Sequence, residues 1–366
     1  MKGILSIGRI SGIRIEIHWT FIFLIGWIVF LELKRGGDFY SVIGSILFIF
    51  VLFACVVLHE LGHALTAKNF DIKTEKITLL PIGGIARLEK MPEKPMEELK
   101  VAIAGPLVNL AIVLFLLILF PITSYFQLPA EDLIAFINEG STNSFIFNVF
   151  LANIILIVFN LIPAFPMDGG RILRALLATR IDRSKATTIA ATLGQILAFF
   201  FFIAGLVYNP FLVIIALFIF LGAFGENQIE QQLSLLKGYT VKDAMLTQLT
   251  KVYETYTVRD MISILLAGTE KHFIVVDAKD NLKGVLHFKE ILKRANEPDL
   301  QINEILNKEV KTVKPEDPLP NVLKLITENR DSYVPVVEKG AVLGAIDISN
   351  LSEFILLTAK VKALSA

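Results

Sequence analysis

The stretch His59-Glu60-Leu61-Gly62-His63 directly follows a long apolar run and is the most informative part of the chain. Histidines four residues apart lie on one face of a helix, so His59 and His63 can bind the same metal ion. Glu60 lies about 100° further round the helix and can reach a water at that metal without being a ligand. Polar groups of this kind are costly at bilayer depth unless they have a function. The motif therefore predicts hydrolysis at a zinc ion inside a membrane.

The composition changes along the chain. Of the 366 residues 54% are hydrophobic, the mean hydropathy is +0.64, and nearly all long uncharged runs lie before residue 226. The tail from Lys237 has the composition of a soluble protein. We therefore predict a membrane domain at 1–230 and two soluble domains at 238–297 and 298–366. The net charge is zero, and no basic patch with interleaved aromatic residues is visible, which argues against a nucleic-acid partner.

The apolar half contains several segments of spanning length. A transmembrane helix needs about 20 mostly apolar residues. Six segments approach this length, at roughly 18–33, 41–67, 98–122, 144–165, 187–207 and 210–226. The expected fold class is an α-helical polytopic membrane domain, with about six transmembrane helices and a re-entrant β-hairpin, followed by a soluble α/β domain pair.

The distribution of Lys and Arg predicts the orientation of these helices. The loop at 123–143 has neither residue and should lie outside, whereas 68–100 and 169–186 are rich in both and should be cytoplasmic. Lys34 and Arg35 fall on the outer side in this arrangement and weigh slightly against it. We expect a multi-pass protein of the plasma membrane, embedded in the lipid bilayer, with both termini and the soluble domains in the cytoplasm.

Residues 72–90 do not have a helical pattern. Polar and apolar residues alternate on both sides of Pro81 and Gly83-Gly84, which predicts a β-hairpin or re-entrant loop. A plain cytoplasmic loop is the alternative. An edge strand beside the catalytic motif could hold an unwound peptide by backbone pairing.

A third metal ligand is needed, because a catalytic zinc normally takes three protein ligands and the motif supplies two. The best candidate is Asp168, which follows Pro163 and Pro166 and precedes Gly169-Gly170. The prolines end a helix and the glycines allow a sharp turn, so the carboxylate can point inward. The alternative is that Asp168 caps the helix that follows.

Asn109 is a further polar residue within a predicted span, close to Gly105-Pro106. Its amide could donate a hydrogen bond to a developing oxyanion. The alternative is hydrogen bonding between helices, which is common in membrane bundles. For Asn153 and Asn160 the second interpretation is preferred.

The soluble tail repeats a strand–helix–strand–strand pattern. One copy opens at Gly238–Met245 and the second at Ile302–Leu306, and each ends with a glycine in a strand. These glycines, Gly284 and Gly344, are 60 residues apart (344 minus 284). The tandem pattern resembles a pair of cystathionine-β-synthase-type (CBS) domains.

Three motifs together resemble the site-2 protease family of intramembrane zinc proteases. They are the His59–His63 motif in a predicted span, Gly105-Pro106 with Asn109, and the segment 160–170 with its aspartate. One branch of that family carries a CBS domain pair. The resemblance implies that His59, His63 and Asp168 bind one catalytic zinc ion and that Glu60 is the general base. It also implies that transmembrane proteins are the substrates.

The resemblance to CBS domains implies that the tail is regulatory, because such pairs commonly bind adenine nucleotides. At the family's ribose-binding positions this chain has Glu290 in the first copy and Asn350 in the second, in place of aspartate. At the usual Ser or Thr positions it has His287 and Asp347. Both copies therefore depart from the nucleotide-binding pattern. A homodimerisation or substrate-docking module is the rival interpretation.

The function predicted from the sequence is intramembrane zinc proteolysis regulated by the CBS pair. One alternative is a CBS-regulated transporter or channel that uses the His and Glu side chains as an ion site. Another is a catalytically silent protein that binds membrane partners. The presence of Glu60, both histidines and Asp168 disfavours the silent protein.

Overall fold

The computed structural model describes residues 4–81, 83–88, 92–329 and 333–364. The chain divides into two compact units, Met1–Gln228 and Ile229–Ala366. The elements that belong to the first unit, the last of which continues into the second, are β1 (Ile4–Ile10), β2 (Ile13–His18), α1 (Phe21–Lys34), α2 (Phe39–Lys68), β3 (Thr74–Leu80), β4 (Gly83–Leu88), α3 (Pro95–Leu119), α4 (Ile122–Tyr125), α5 (Ala130–Asn138), α6 (Thr142–Leu161), α7 (Asp168–Ala178), α8 (Arg183–Val207) and α9 (Phe211–Leu236).

Five helices in the described part of the chain are long and apolar enough to cross a membrane, namely α2, α3, α6, α8 and α9. The predicted span at 18–33 corresponds to α1, which has 14 residues. At about 1.5 Å per residue such a helix is about 21 Å long, shorter than the roughly 30 Å of a hydrocarbon core. The sequence count of about six spans therefore includes one helix that does not reach full length. The chain just before α1 forms β2 instead.

The first unit also contains a four-stranded sheet in the order β1-β2-β3-β4. Strands β3 and β4 pair antiparallel, so the hairpin predicted at 72–90 is confirmed and the plain-loop alternative is wrong. Ile82, Glu89 and Lys90 of that segment lie outside the described residues. Strand β2 pairs parallel to β3, which leaves β4 as an edge strand.

One face of this sheet packs against α2. Ile15 of β2 and Ile77 of β3 share a buried cluster with Val57 and Leu61 of α2. A partly buried ion pair, Lys76 Nζ to Glu16 Oε2 at 2.8 Å, joins β2 and β3. The sheet is therefore fixed to the helix that carries the histidine motif.

Small residues let the helices around that motif approach closely. A Cβ on Gly62 would lie 2.8 Å from Val108 Cγ2 and 2.9 Å from the Ala104 carbonyl oxygen, so only glycine allows this approach of α2 to α3. Between α6 and α7, a Cβ on Gly170 would lie 2.5 Å from the Phe165 nitrogen. The start of α7 is thus folded tightly against the turn that precedes it.

The described elements of the second unit are α10 (Val241–Ala244), β5 (Lys251–Tyr253), α11 (Val258–Ala267), β6 (His272–Val276), β7 (Leu282–His287), α12 (Phe288–Lys293), a 3₁₀ turn (Ile302–Glu304), α13 (Leu319–Asn329), β8 (Tyr333–Glu338), β9 (Ala341–Asp347) and α14 (Ile348–Leu364). Strands β5, β6 and β7 form one sheet, and β8 and β9 form another. Each sheet is followed by a helix, so the repeat seen in the sequence is also a repeat in structure.

The two copies exchange their opening segments. Val241 and Ala244, which open the first copy, are buried in the core of the second copy with Leu319. Conversely, Ile302 and Leu306, which open the second copy, are buried in the core of the first. The predicted division into 238–297 and 298–366 follows the sequence repeat, whereas each hydrophobic core takes residues from both sides of residue 297.

The glycines that mark the repeat allow this exchange. Val285 exchanges two backbone hydrogen bonds with Asn307, both at 3.0 Å, and Ala345 does the same with Leu246 at 2.8 and 3.0 Å. A Cβ on the neighbouring Gly284 would overlap the Asn307 carbonyl oxygen, and one on Gly344 would lie 2.5 Å from the Leu246 carbonyl oxygen. The 60-residue spacing therefore marks two equivalent close contacts between backbones.

Gly344→Ala tests this packing. We expect a destabilisation of the second unit by about 1–3 kcal/mol, because the added methyl group meets backbone atoms that cannot move aside locally. Hydrogen exchange at the Leu246 and Ala345 amides should become faster. Gly268→Ala is the matched control, because a Cβ there meets only the Ile264 carbonyl oxygen at 3.5 Å. Unchanged protection of both amides in Gly344→Ala would contradict the expectation.

Candidate metal centre

Three potential metal ligands meet inside the first unit. His59 and His63 lie one turn apart in α2, and Asp168 is the first residue of α7. The two Nε2 atoms are 3.1 Å apart, and Asp168 Oδ2 lies 3.2 Å from His59 Nε2 and 3.1 Å from His63 Nε2. All three side chains are buried, and they form the candidate metal-binding group found among the described residues. The sequence predicted this set, and the fold brings its members together.

The hydrogen bonds behind the His59 ring determine which nitrogen carries its proton. The Val149 carbonyl can only accept, so Asn153 Nδ2 donates to it at 2.8 Å and Asn153 Oδ1 accepts from Asn109 Nδ2 at 2.8 Å. Asn109 Oδ1 is then the acceptor that faces His59 Nδ1 at 2.5 Å. His59 Nδ1 must donate, which leaves the lone pair of His59 on Nε2.

His63 is oriented in the same way by a backbone group. Its Nδ1 lies 2.7 Å from the Val101 carbonyl oxygen, which can only accept a hydrogen bond. In their neutral forms both imidazoles therefore present an unprotonated Nε2 to each other and to a carboxylate oxygen. Three lone-pair donors that face one another repel unless a cation lies between them. This arrangement, in which each ligand histidine donates its other N–H to an oxygen, is typical of metal sites.

The three donor atoms fit a zinc ion. Ligands at about 2.0–2.1 Å in tetrahedral geometry are about 3.3–3.4 Å apart, close to the separations of 3.1–3.2 Å in this structure. Two imidazole nitrogens and one carboxylate oxygen are also ligand types that zinc prefers. Three protein ligands leave the fourth position for water or substrate, as in catalytic rather than structural zinc sites.

Helix α3 passes so close to this site that it needs a glycine. A Cβ on Gly105 would overlap His63 Nε2 and would lie 2.7 Å from His59 Nε2. The glycine noted in the sequence next to Pro106 therefore leaves free the space in which the two imidazoles meet.

Glu60 is placed beside the triad and outside it. It is partly buried on α2, and the backbone of β4 lies over it. A Cβ on Gly84 would be 3.0 Å from Glu60 Cγ and 3.0 Å from Val56 Cγ1. The edge strand of the hairpin and the predicted general base are therefore direct neighbours.

The structure distinguishes the alternatives for two other residues. Residue Met167 occupies the N-cap position of α7 and makes no side-chain capping bond, while the Asp168 carboxylate faces the histidines, so capping does not explain the aspartate. The Asn109 side chain lies behind the His59 ring, where its oxygen contacts Nδ1. These contacts favour hydrogen bonding between helices over donation to an oxyanion. For Asn160, hydrogen bonding between helices was expected, but its described hydrogen bond is to the Leu156 carbonyl oxygen of the same helix, at 3.0 Å.

A buried ionic network near the site was not found from the sequence. Glu98 of α3 contacts Arg174 of α7 and Arg183 of α8, and Arg174 also contacts Glu226 of α9. In the sequence both arginines appear only as cytoplasmic cations, and Glu98 only as the start of a span. An acidic residue at the end of an apolar helix, with arginines in the next cationic loop, is the signal that could have suggested it.

The two residues predicted for nucleotide binding lie in equivalent places in the second unit. Glu290 and Asn350 each stand in the first turn of the helix after a glycine-containing strand, α12 and α14 respectively. Glu290 is paired with Lys293 Nζ at 2.8 Å. Asn350 Oδ1 is buried and has no hydrogen-bond partner within the described parts of the chain.

Comparison with known proteins agrees with these features. The sequence model of peptidase family M50 matches residues 47–203, and that of the CBS domain matches 241–297 and 302–357. A zinc metalloprotease of Methanocaldococcus jannaschii is 34% identical over 94% of this chain and 93% of that protein. Rip3 of Mycobacterium tuberculosis is 27% identical over 97% of this chain and 93% of Rip3.

One solved structure with similarity to this chain is a site-2 protease from Methanocaldococcus jannaschii, with 40% sequence identity and a TM-score of 0.45. The match covers 61% of this chain and 95% of the chain in that structure. The relative that matches almost the whole chain, together with the two family matches, shows the family. The chain belongs to peptidase family M50, the site-2 proteases, and is a multi-pass membrane zinc metalloprotease with a pair of CBS domains.

Proposed function

We propose that this protein hydrolyses peptide bonds within or next to transmembrane segments of other membrane proteins, and that its CBS pair regulates this activity. The observation that carries the proposal is the meeting of His59, His63 and Asp168 donor atoms within 3.2 Å of one another, on helices α2 and α7 of a unit rich in spanning helices. The transporter alternative, in which Glu60 would join the histidines as an ion ligand, fits less well, because the side chains that meet are His59, His63 and Asp168.

Each residue of the site then has a role. His59, His63 and Asp168 hold the zinc ion, which when bound supplies a Lewis acid that activates water near neutral pH. Glu60 accepts the proton of the attacking water and returns it to the leaving amine. Asn109 orients His59 through Nδ1, and a second contribution from its amide to the oxyanion remains a prediction.

A substrate helix must unwind before it can be cut, because its backbone groups are already hydrogen-bonded to one another. Among the described strands, β4 pairs only with β3 and so has a free edge, and Gly84 in that strand packs on Glu60. An unwound segment that adds to this edge would satisfy its own backbone groups by strand pairing. The scissile peptide would then lie close to the general base.

In the expected topology, water reaches the metal site from the cytoplasmic side. His59 lies nine residues (68 minus 59) before α2 ends at Lys68, or about 13 Å along the helix. The cationic loop at 68–100 follows this end of α2, so we expect the end to face the cytoplasm. We therefore propose cleavage near the cytoplasmic face of the plasma membrane.

The CBS pair is the proposed regulatory module. Glu290 and Asn350 are the proposed contacts for the ribose of an adenine nucleotide; Asn350 Oδ1 is a buried acceptor with no hydrogen-bond partner among the described residues. We propose residues 1–230 as the protease domain and 238–297 and 298–366 as the two CBS repeats. Homodimerisation through the CBS pair is the competing role.

Glu60→Gln tests the chemistry. We expect zinc to stay at one ion per chain, because Glu60 is not a ligand, and cleavage of a model transmembrane substrate to fall by at least about 10²-fold. Metal analysis and a cleavage assay on the purified protein measure both. Glu97→Gln is the matched control, since Glu97 pairs with Lys94 away from the site. Cleavage by Glu60→Gln at the wild-type rate would contradict the proposal, and a wild type that cuts no substrate would favour a binding function.

Gly105→Ala tests the metal centre. The added methyl group would overlap the nitrogen of His63 that faces the metal, so we expect zinc content to fall well below one ion per chain. Gly44→Ala is the control, because it also places alanine in a long helix but meets no atom within 4 Å. Full zinc content in both variants would show that the ion binds elsewhere.

Calorimetry with AMP and ATP on the full chain tests the CBS proposal. Where a nucleotide binds, Glu290→Ala should weaken its affinity by about 10-fold or more, because a hydrogen bond to a charged group is lost. Glu297→Ala is the control, since Glu297 pairs with Arg294 at the same i, i+3 spacing. If neither nucleotide binds the wild type, the dimerisation interpretation is preferred.

A further inference from the structure

Arg174 is an arginine that is almost completely buried, with its side chain 1% exposed. Its Nε donates to Glu98 Oε1 at 2.8 Å, its Nη2 donates to the same oxygen, and its Nη1 donates to Glu226 Oε1 at 2.6 Å. The face of the guanidinium lies over the Phe165 ring, 4.9 Å from the ring centre to Cζ. Three directed hydrogen bonds and a ring contact hold this side chain in one orientation.

Glu98 is equally buried and is shared by two arginines. Its Oε1 accepts from Arg174, and its Oε2 accepts from Arg183 Nη1 at 2.6 Å. With Glu226 the group contains two positive and two negative side chains, so its charges cancel. Buried ion pairs are poor sources of stability, because removing both charges from water costs about as much as their attraction returns. A role other than stability is therefore worth considering for this group.

The group connects the helix that orients the histidines to the helix that carries the third ligand. Four residues share one face of α3, because they follow one another at spacings of three, four and four residues. They are Glu98, Val101, Gly105 and Asn109. Val101 and Asn109 hold the two imidazoles, and Gly105 leaves room for them. Glu98 is the next residue of this face toward the N-terminus, and it holds α7.

Helix α7 packs along α3 and α8, and two of its contacts bear directly on the position of Asp168. At its start, Gly169 and Gly170 lie against the backbone of the preceding turn. Six residues after Asp168 (174 minus 168), or about 9 Å along the helix, Arg174 binds Glu98. With the second contact removed, α7 can tilt or rotate about the first, and the Asp168 carboxylate moves relative to the histidines.

We propose that Glu98 and Arg174 are positioning residues that fix Asp168 at the distance from His59 and His63 that zinc binding requires. The inference rests on the proposed zinc site and concerns the affinity of that site for metal. It assigns no contact with substrate to either residue.

The test compares the dissociation constant of zinc, measured by competition with a chelator on the full-length protein, in two variants. Arg174→Lys keeps the charge but loses the planar fork, so it cannot bind Glu98 and Glu226 at once. The double variant E98M/R174M replaces both partners by apolar side chains of similar length, so neither charge is left buried alone. Arg183 and Glu226 remain, with side chains 23% and 32% exposed.

We expect both variants to bind zinc about 10–100-fold more weakly, as is usual when a residue that orients a ligand is lost. The melting temperature of the zinc-free double variant should stay close to that of the zinc-free wild type. The control is E16M/K76M, which removes a partly buried ion pair between β2 and β3 that contacts none of the three ligands. Its zinc affinity should stay within about twofold of the wild-type value.

A folded double variant with wild-type zinc affinity would overturn the proposal and leave the pair with a structural role only. A loss of affinity in E16M/K76M equal to that in E98M/R174M would also overturn it, because the effect would then be general. Since no substrate is present, this result is independent of proteolysis. A wild type that binds zinc but cuts nothing would contradict the proposed function and leave the positioning role intact.

Discussion

The repulsion between three donor atoms, unprotonated when both imidazoles are neutral, is the constraint on which the first unit depends. His59 Nε2, His63 Nε2 and Asp168 Oδ2 lie within 3.2 Å of one another in a buried setting, an arrangement that is unfavourable unless a cation is shared. These three atoms can meet only where the helices pack closely, and glycines at the helix contacts allow that packing. Gly62 allows α2 to touch α3, and Gly105 keeps the meeting point clear. The small residues of this membrane domain thus serve the metal centre as much as the packing of its helices.

The metal centre is specified by hydrogen bonds that begin at backbone carbonyls. One path runs from the Val149 carbonyl through Asn153 and Asn109 to His59, and another from the Val101 carbonyl directly to His63. Because a carbonyl can only accept, each path fixes the proton of its imidazole on Nδ1. Helix α3 supplies the last member of both paths. It therefore acts as the template of the site, although it contributes no ligand.

In the second unit, a sequence repeat does not coincide with a hydrophobic core. The 60-residue spacing of Gly284 and Gly344 predicted two copies, and the family comparison agrees that two CBS domains are present. The cores nevertheless exchange their opening segments, with Ile302 buried in the first copy and Val241 in the second. A sequence pattern records which residues are apolar, but it does not record which of two similar cores each apolar residue joins.

The sequence by itself determined those features whose cause is local. The i, i+4 spacing of His59 and His63 indicated one shared helix face. The turn residues of the hairpin and the prolines and glycines beside Asp168 each left an alternative open, and the structure agrees with the hairpin and with the inward carboxylate. Only tertiary structure decided that Asn109 lies behind His59 and that Glu98 pairs with Arg174. The reason is physical: His59 and Asn109 are 50 residues apart, and Glu98 and Arg174 are 76 apart. Contacts over such separations depend on how whole helices pack, and no local pattern of residues encodes that.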